Sequence, residues 1–184
     1  MLTAQKQSGL RHKHDGFTLL EIVIAIALMC ILTVLAVPAF QHWVQNAQIR
    51  NGAEGILNGL QHARAEAVRR NVVIQFVLVN QSGWQIAAAS DPATILVQRD
   101  PGEGSSNALV ATSPAGADRI SFNGMGWVVA NGDASPSLAT MDVTSATLAG
   151  SEIRPLRIVV STNGAPKMCD PSPSLAAGDP RICP

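Results

Sequence analysis

The chain changes hydropathy three times. Residues 1–16 are mostly polar or basic, and Phe17 to Val37 then form an apolar run of 21 residues interrupted only by Thr18, Glu21 and Thr33. At about 1.5 Å per residue, a helix over that run crosses a ~30 Å hydrocarbon core. Past Pro38 the apolar positions Ile49, Ala53, Ile56, Leu60, Ala63 and Ala67 recur at spacings of 4, 3, 4, 3 and 4, while Arg50, Asn58, Gln61 and Glu66 fall elsewhere. This is the stripe of a helix with one face on a core. After Asn71 the period shortens. Strands are expected over Val72 to Val79, Trp84 to Ala89, Thr94 to Gln98, Arg119 to Phe122, Gly126 to Ala130 and Leu156 to Ser161. Asp100 to Asp118 and Asn131 to Glu152, full of Gly, Ser, Ala, Pro and Asp, are expected as long loops. A β domain draped on one long helix is the economical architecture, an α+β fold.

Charge orients the apolar run. Lys6, Arg11 and Lys13 precede it, with His12 and His14 among them, and Gln41 to Gln48 carries no Lys or Arg. The positive-inside rule leaves the first residues in the cytoplasm and exports the rest. A secretory signal peptide fits poorly, because such apolar regions run about 7 to 15 residues before a small-x-small site and Ala36-Val37-Pro38-Ala39 is a weak match. A plain signal anchor leaves Glu21 unexplained, since a charge in hydrocarbon costs roughly 2.5 kcal/mol or more unless it is paired. Pro38 lacks an N–H and clashes with the carbonyl of Val34, so a kink or short unwound stretch is expected there.

In the amphipathic stretch, Glu66 and Arg70 stand at i, i+4 in the favourable order. Arg64, Arg69 and Arg70 admit two readings, a nucleic-acid patch or a solvated helix end with cations near the C-terminal dipole. Gly52, Gly55 and Gly59 each weaken the helix locally, by up to about 1 kcal/mol relative to alanine. They permit either close packing against a sheet or partial melting during assembly.

Formal charge is balanced over 184 residues, and removing the first sixteen leaves 10 basic and 12 acidic side chains. That balance gives no global bias toward DNA. The length supports one globular domain besides the span. Cys30 falls in the span and reads as a small apolar residue. Cys169 and Cys183 fall in the exported part, where disulfides form and persist. We expect them to close a loop worth roughly 3 kcal/mol by the chain-entropy model, tying down a Pro-rich tail without helix or strand pattern. A two-cysteine metal site lacks a histidine in the tail. Beyond the first sixteen residues only His42 and His62 remain, twenty residues apart. No Ser/His/Asp set or phosphate loop stands in a suitable context, and Gly124-Met125-Gly126 precedes a strand and reads as a turn. An enzyme is not expected, nor are cofactors or metals.

The string Gly16-Phe17-Thr18-Leu19-Leu20-Glu21 before an apolar helix resembles the type III signal of the type IV prepilins. The resemblance implies cleavage after Gly16 by a prepilin peptidase, N-methylation of the new terminus at Phe17, and an assembly role for Glu21, the fifth residue counted from Phe17. Pro38 becomes the twenty-second, where many pilins carry a kinking proline. Cleavage exposes the Phe17 ammonium, which Glu21 can meet within one subunit or across to a neighbour in a helical bundle, setting axial register.

Ile49 to Asn71, with Gln61-His62-Ala63-Arg64-Ala65-Glu66-Ala67, is similar to the helix of the FimT/FimU-type minor pilins and the related H-type (GspH) minor pseudopilins. Thr162-Asn163-Gly164 and Lys167-Met168-Cys169-Asp170-Pro171 resemble the same group. This likeness implies a long helix packed on a two-sheet antiparallel β domain. Its implied boundaries are a leader at 1–16, a transmembrane half at 17–37, an amphipathic half at 38–71 and a periplasmic β-rich domain at 72–184. It further implies a minor pilin in the inner membrane that primes filament assembly, sits near the pilus tip and supports twitching motility. Implied partners are other minor pilins, the major pilin, the prepilin peptidase/methyltransferase and the inner-membrane assembly platform. Two alternatives stay open: an H-type pseudopilin of type II secretion, and a DNA-binding pilin. The second is weakened because Gly164-Ala165-Pro166-Lys167 lacks the paired arginines of DNA-binding relatives.

Overall fold

The computed structural model describes residues 17–176 and 178–183. One helix, α1, runs Leu19–Arg70 without interruption and carries Pro38 inside it. The expected unwound stretch at Pro38 is therefore absent. Proline removes one N–H and tilts one carbonyl, and the flanking turns keep the backbone helical on both sides. The chain divides into two units, residues 1–39 and 40–184.

In the second unit nine strands build two antiparallel sheets. The first has the order β3-β2-β1-β5-β6 from β1 (Ile74–Val79), β2 (Gly83–Ala88), β3 (Asp91–Arg99), β5 (Arg119–Phe122) and β6 (Val128–Val129). The second has the order β4-β7-β8-β9 from β4 (Ala108–Ser113), β7 (Thr140–Ser145), β8 (Leu156–Val160) and β9 (Pro166–Cys169). Six strands lie where the sequence pattern places them. The other three correct the expectation: β4 and β7 occupy the two stretches read as loops, and β9 opens the tail read as patternless. In β7, Met141, Val143 and Ser145 point inward between half-exposed Thr140, Asp142 and Thr144. The alternation is present but carried by few large apolar side chains, and β4 and β7 become strands by pairing with each other from Ala108↔Ser145 to Ser113↔Thr140.

The buried stripe of α1 in this unit includes Ile49, Ala53, Ile56, Leu60, Ala63 and Ala67, the six positions of the sequence period. It shares one core with Ile74, Phe76, Trp84, Ile86, Ile120 and Phe122 of the first sheet and Met141, Val143, Ile158 and Val160 of the second. The glycines settle the choice left open above. A Cβ on Gly59 would lie 2.6 Å from the Trp84 ring and 2.8 Å from the Phe76 ring, and one on Gly52 would lie 3.2 Å from Ala108 Cβ. They are close-packing positions where helix backbone meets sheet side chains. Asn71 ends the helix in the left-handed region, φ 54°, a conformation asparagine tolerates better than most residues.

Candidate functional site

Among the described residues of the first unit, Glu21 is the one charged side chain, set in an apolar sleeve. Thr18 caps the helix: its Oγ1 accepts a hydrogen bond from the Glu21 N–H at 3.2 Å, and its carbonyl accepts the N–H of Ile22 at 3.2 Å. Glu21 is thus the third residue of α1, in the first turn, where the orphan N–H groups and the macrodipole favour negative charge. Thr18-x-x-Glu21 has the spacing of a capping box, a signal legible in the sequence that our reading of it missed. Thr33 satisfies its hydroxyl internally, donating to the carbonyl of Met29 at 2.8 Å. Glu21 has no such outlet: its carboxylate is exposed and makes no hydrogen bond or ion pair among the described residues. Around it Phe17, Leu19, Leu20, Ile22, Val23 and Ile24 are 49–81% exposed. An 18-residue window of this helix meets the length and hydropathy of a membrane span with none of it buried in the protein. Cys30 is exposed in the same stretch. Gly16 and the rest of residues 1–16, the expected leader, lie outside the described residues.

In the second unit the arginines of the helix end are engaged. Arg64 donates from Nε to the carbonyl of Gly126 at 3.0 Å and from Nη2 to that of Asn163 at 3.4 Å, pinning two turns to the helix. Gly164 has φ +78°, and a Cβ there would collide with the Gly126 carbonyl oxygen; the two pinned turns are in contact. Glu66 accepts from Arg69 Nη2 and Arg70 Nε, both at 2.7 Å. Those hydrogen bonds, Arg69's first, hold the Glu66 carboxyl well below the usual range, at about 2. Of the two readings of this cluster, the structure favours the solvated, internally paired helix end.

The tail is tied at two points. Cys169 of β9 and Cys183 are joined by a disulfide, with Cα atoms 5.0 Å apart. Beside it the Asp170 N–H donates to the Arg181 carbonyl at 2.7 Å, and Arg181 pairs with Asp179 at 2.7 Å. That contact lowers the Asp179 carboxyl to about 2. Among the described residues no group of three His, Cys, Asp or Glu side chains is placed to hold a metal. His62 lies 3.9 Å from Glu66. The first unit thus presents one unpaired charge among its described residues, and in the second Arg64, Arg69, Arg70 and Arg181 are engaged within the chain.

Comparison with known proteins agrees. Residues 11–37 match the model of the prokaryotic N-terminal methylation motif, and residues 52–164 match that of the type II transport protein GspH. Among solved structures, the type IV minor pilin FimU of Pseudomonas aeruginosa strain PAO1 superposes with a TM-score of 0.50 at 17% identity, covering 65% of this chain and 87% of FimU. A second crystal form of FimU gives a TM-score of 0.46 at 17% identity, covering 65% of this chain and 90% of that one. No curated protein matches the chain. The apolar N-terminal helix and the methylation motif fit a membrane anchor bearing a soluble C-terminal domain. A methylation motif on an apolar helix, followed by a helix-on-two-sheets domain, makes this chain a member of the GspH family of prepilin-like minor pilins and pseudopilins, a family of structural subunits.

Proposed function

We propose that the protein is a minor pilin of a type IV pilus, processed between Gly16 and Phe17, methylated on Phe17, and built into the filament near its tip as part of the complex that primes assembly. The observation that carries this reading is Glu21: a carboxylate in the first turn of a membrane-length helix, without a partner among the described residues. Cleavage after Gly16 supplies an ammonium at Phe17 of this or a neighbouring subunit. A bundle of such helices pairs the two charges across subunits, which neutralises both in a low-dielectric setting and fixes axial register. In this reading the other minor pilins and the major pilin are the partners, the peptidase acts on the leader, and the assembly platform lies in the inner membrane. The test is Glu21→Ala: membrane insertion persists while incorporation into sheared filaments is lost, and normal incorporation would refute the pairing. Recovery of the natural chain with residues 1–16 still attached would remove the amine and the proposal with it.

A second reading, a minor pseudopilin of type II secretion, is favoured by the match of residues 52–164 to the type II transport protein GspH. Deletion separates the two. Loss of surface pili and twitching supports the pilus, whereas retention of secreted enzymes in the periplasm supports secretion. A DNA-binding role has least support, because Arg64, Arg69 and Arg70 are engaged within the protein and the tail balances Lys167 and Arg181 against Asp170 and Asp179. Strong, salt-sensitive retention in a low-salt gel shift would revive it.

A further inference from the structure

Three aromatic rings outside the span are left in the open, Phe40, Trp43 and Trp127, at 63%, 67% and 57% exposure. Two of them stand together: the Phe40 and Trp43 ring centroids are 5.9 Å apart. They lie three and six positions beyond Val37, so at most about 9 Å of helix separates Trp43 from the end of the span. Trp43 also lines an open groove of about 640 Å³ shared with Arg50, Arg154, Leu156, Met168 and Arg181.

The groove carries three arginines and one acid, Asp170, whose Oδ1 accepts the Ser172 N–H at 2.9 Å. Asn46 grips the neighbouring segment from both sides, donating from Nδ2 to the Glu152 carbonyl at 2.8 Å and accepting the Arg154 N–H on Oδ1 at 2.9 Å. Between those two contacts Ile153 is buried in the core. Backbone and anchor are therefore held, and the Arg154 side chain is presented to the groove. Arg50 is paired with Glu54 and Arg181 with Asp179. The Arg154 guanidinium makes no hydrogen bond or ion pair among the described residues.

We propose that Phe40 and Trp43 sit in the headgroup layer of the membrane and that Arg154 takes the phosphate of an anionic phospholipid in the Trp43 groove while the subunit resides in the bilayer. Aromatic rings with an apolar body and a polar edge collect at that depth. A guanidinium binds phosphate through paired N–H donors. The partner is set by sequence: Trp43 follows Val37 by only six residues, and Leu156 and Met168, which line the same groove, suit the glycerol and upper acyl chain. The inference rests on the membrane-anchored reading of residues 17–37.

The test uses the full chain in vesicles of phosphatidylcholine and phosphatidylglycerol, with either lipid brominated to quench tryptophan emission. Insertion is checked separately by resistance to carbonate extraction, so failure of the anchor is distinguishable from failure of the groove; a wild-type chain that washes off overturns both. With the chain inserted, brominated lipid quenches the wild type and Trp43→Phe removes most of that quenching. Phosphatidylglycerol quenches more than phosphatidylcholine, and Arg154→Gln reduces that preference about fivefold, the worth of one surface cation at an anionic membrane; Arg154→Lys retains much of it. Quenching unchanged by Trp43→Phe, or a lipid preference unchanged by Arg154→Gln, overturns the proposal. So does loss of the preference on adding millimolar inorganic phosphate, which would mark a site for a soluble anion.

Discussion

The two halves of α1 use small and apolar residues to opposite ends. From Leu19 to Val37 the large side chains are exposed all round the helix, and the one acid there has no partner among the described residues. From Ile49 to Ala67 the apolar residues are confined to one stripe and vanish into a core, and glycine admits the rings of Trp84 and Phe76 onto the backbone. The first half fits a membrane anchor, for which lipid is the solvent and any apolar side chain serves. The second is matched to particular neighbours, and each residue has its own shape to fit. Helix-forming residues do not distinguish these environments; what lies around the helix does.

That contrast predicts a dissociation between assembly and stability. The largest effect belongs to the first half: Glu21→Ala abolishes incorporation into filaments while the melting temperature of the globular domain, followed by circular dichroism, stays unchanged. A fall in that temperature would erase the distinction. Next, replacing Cys169 and Cys183 together by serine removes roughly 3 kcal/mol of stability by loop-closure entropy, read by denaturant titration, and leaves insertion intact. Mass spectrometry of unreduced peptides that found both thiols free would end the premise.

Finer tests act within the packed half. Gly59→Ala gains up to about 1 kcal/mol of helix propensity but drives a methyl into Trp84 and Phe76, costing about 1–3 kcal/mol, so the net change is destabilising. Gly55→Ala meets only the Arg99 guanidinium, the far end of a flexible side chain, so its net effect is small and of either sign. If the two substitutions proved equal, close packing on the rings would not be what Gly59 is for. The smallest effect is electrostatic. Because Glu66 titrates at about 2 in the folded protein against an ordinary value of 4.5, its contribution is complete above about pH 4.5 and is lost as the pH falls toward 2. The arginine partners are exposed, so this contribution is below about 1 kcal/mol. Glu66→Gln lowers the melting temperature slightly at pH 7, where the ionised pairing is complete, and flattens its pH dependence in that window.

The cysteine bond and the arginine contacts draw on different kinds of information. A thiol pair in an exported tail can be inferred from compartment and spacing alone. That Arg64 holds the turns at Gly126 and Asn163 follows from no local pattern, because its two acceptors lie 62 and 99 residues away. The same holds for the cross-strand pair of Asp142 and Arg157, bidentate at 2.6 and 2.8 Å. Strands β4, β7 and β9 were hidden for a related reason. Each is short and carries few large apolar side chains; β4 and β7 meet partners far apart in the chain, Ala108↔Ser145 to Ser113↔Thr140, whereas β9 pairs with the preceding strand β8 across a short turn, Val160↔Pro166.

The order of residues by itself determined the apolar span, the acid near its start, the stripe on the second half of the helix and the six strongly patterned strands. Each is written in a period or in a charge that local physics can read. Only the tertiary structure decided that Gly52 and Gly59 are contact points and not weak ones, and that two stretches rich in glycine and serine contribute to a second sheet. Those outcomes depend on which surfaces meet, and meeting is a property of the folded chain as a whole.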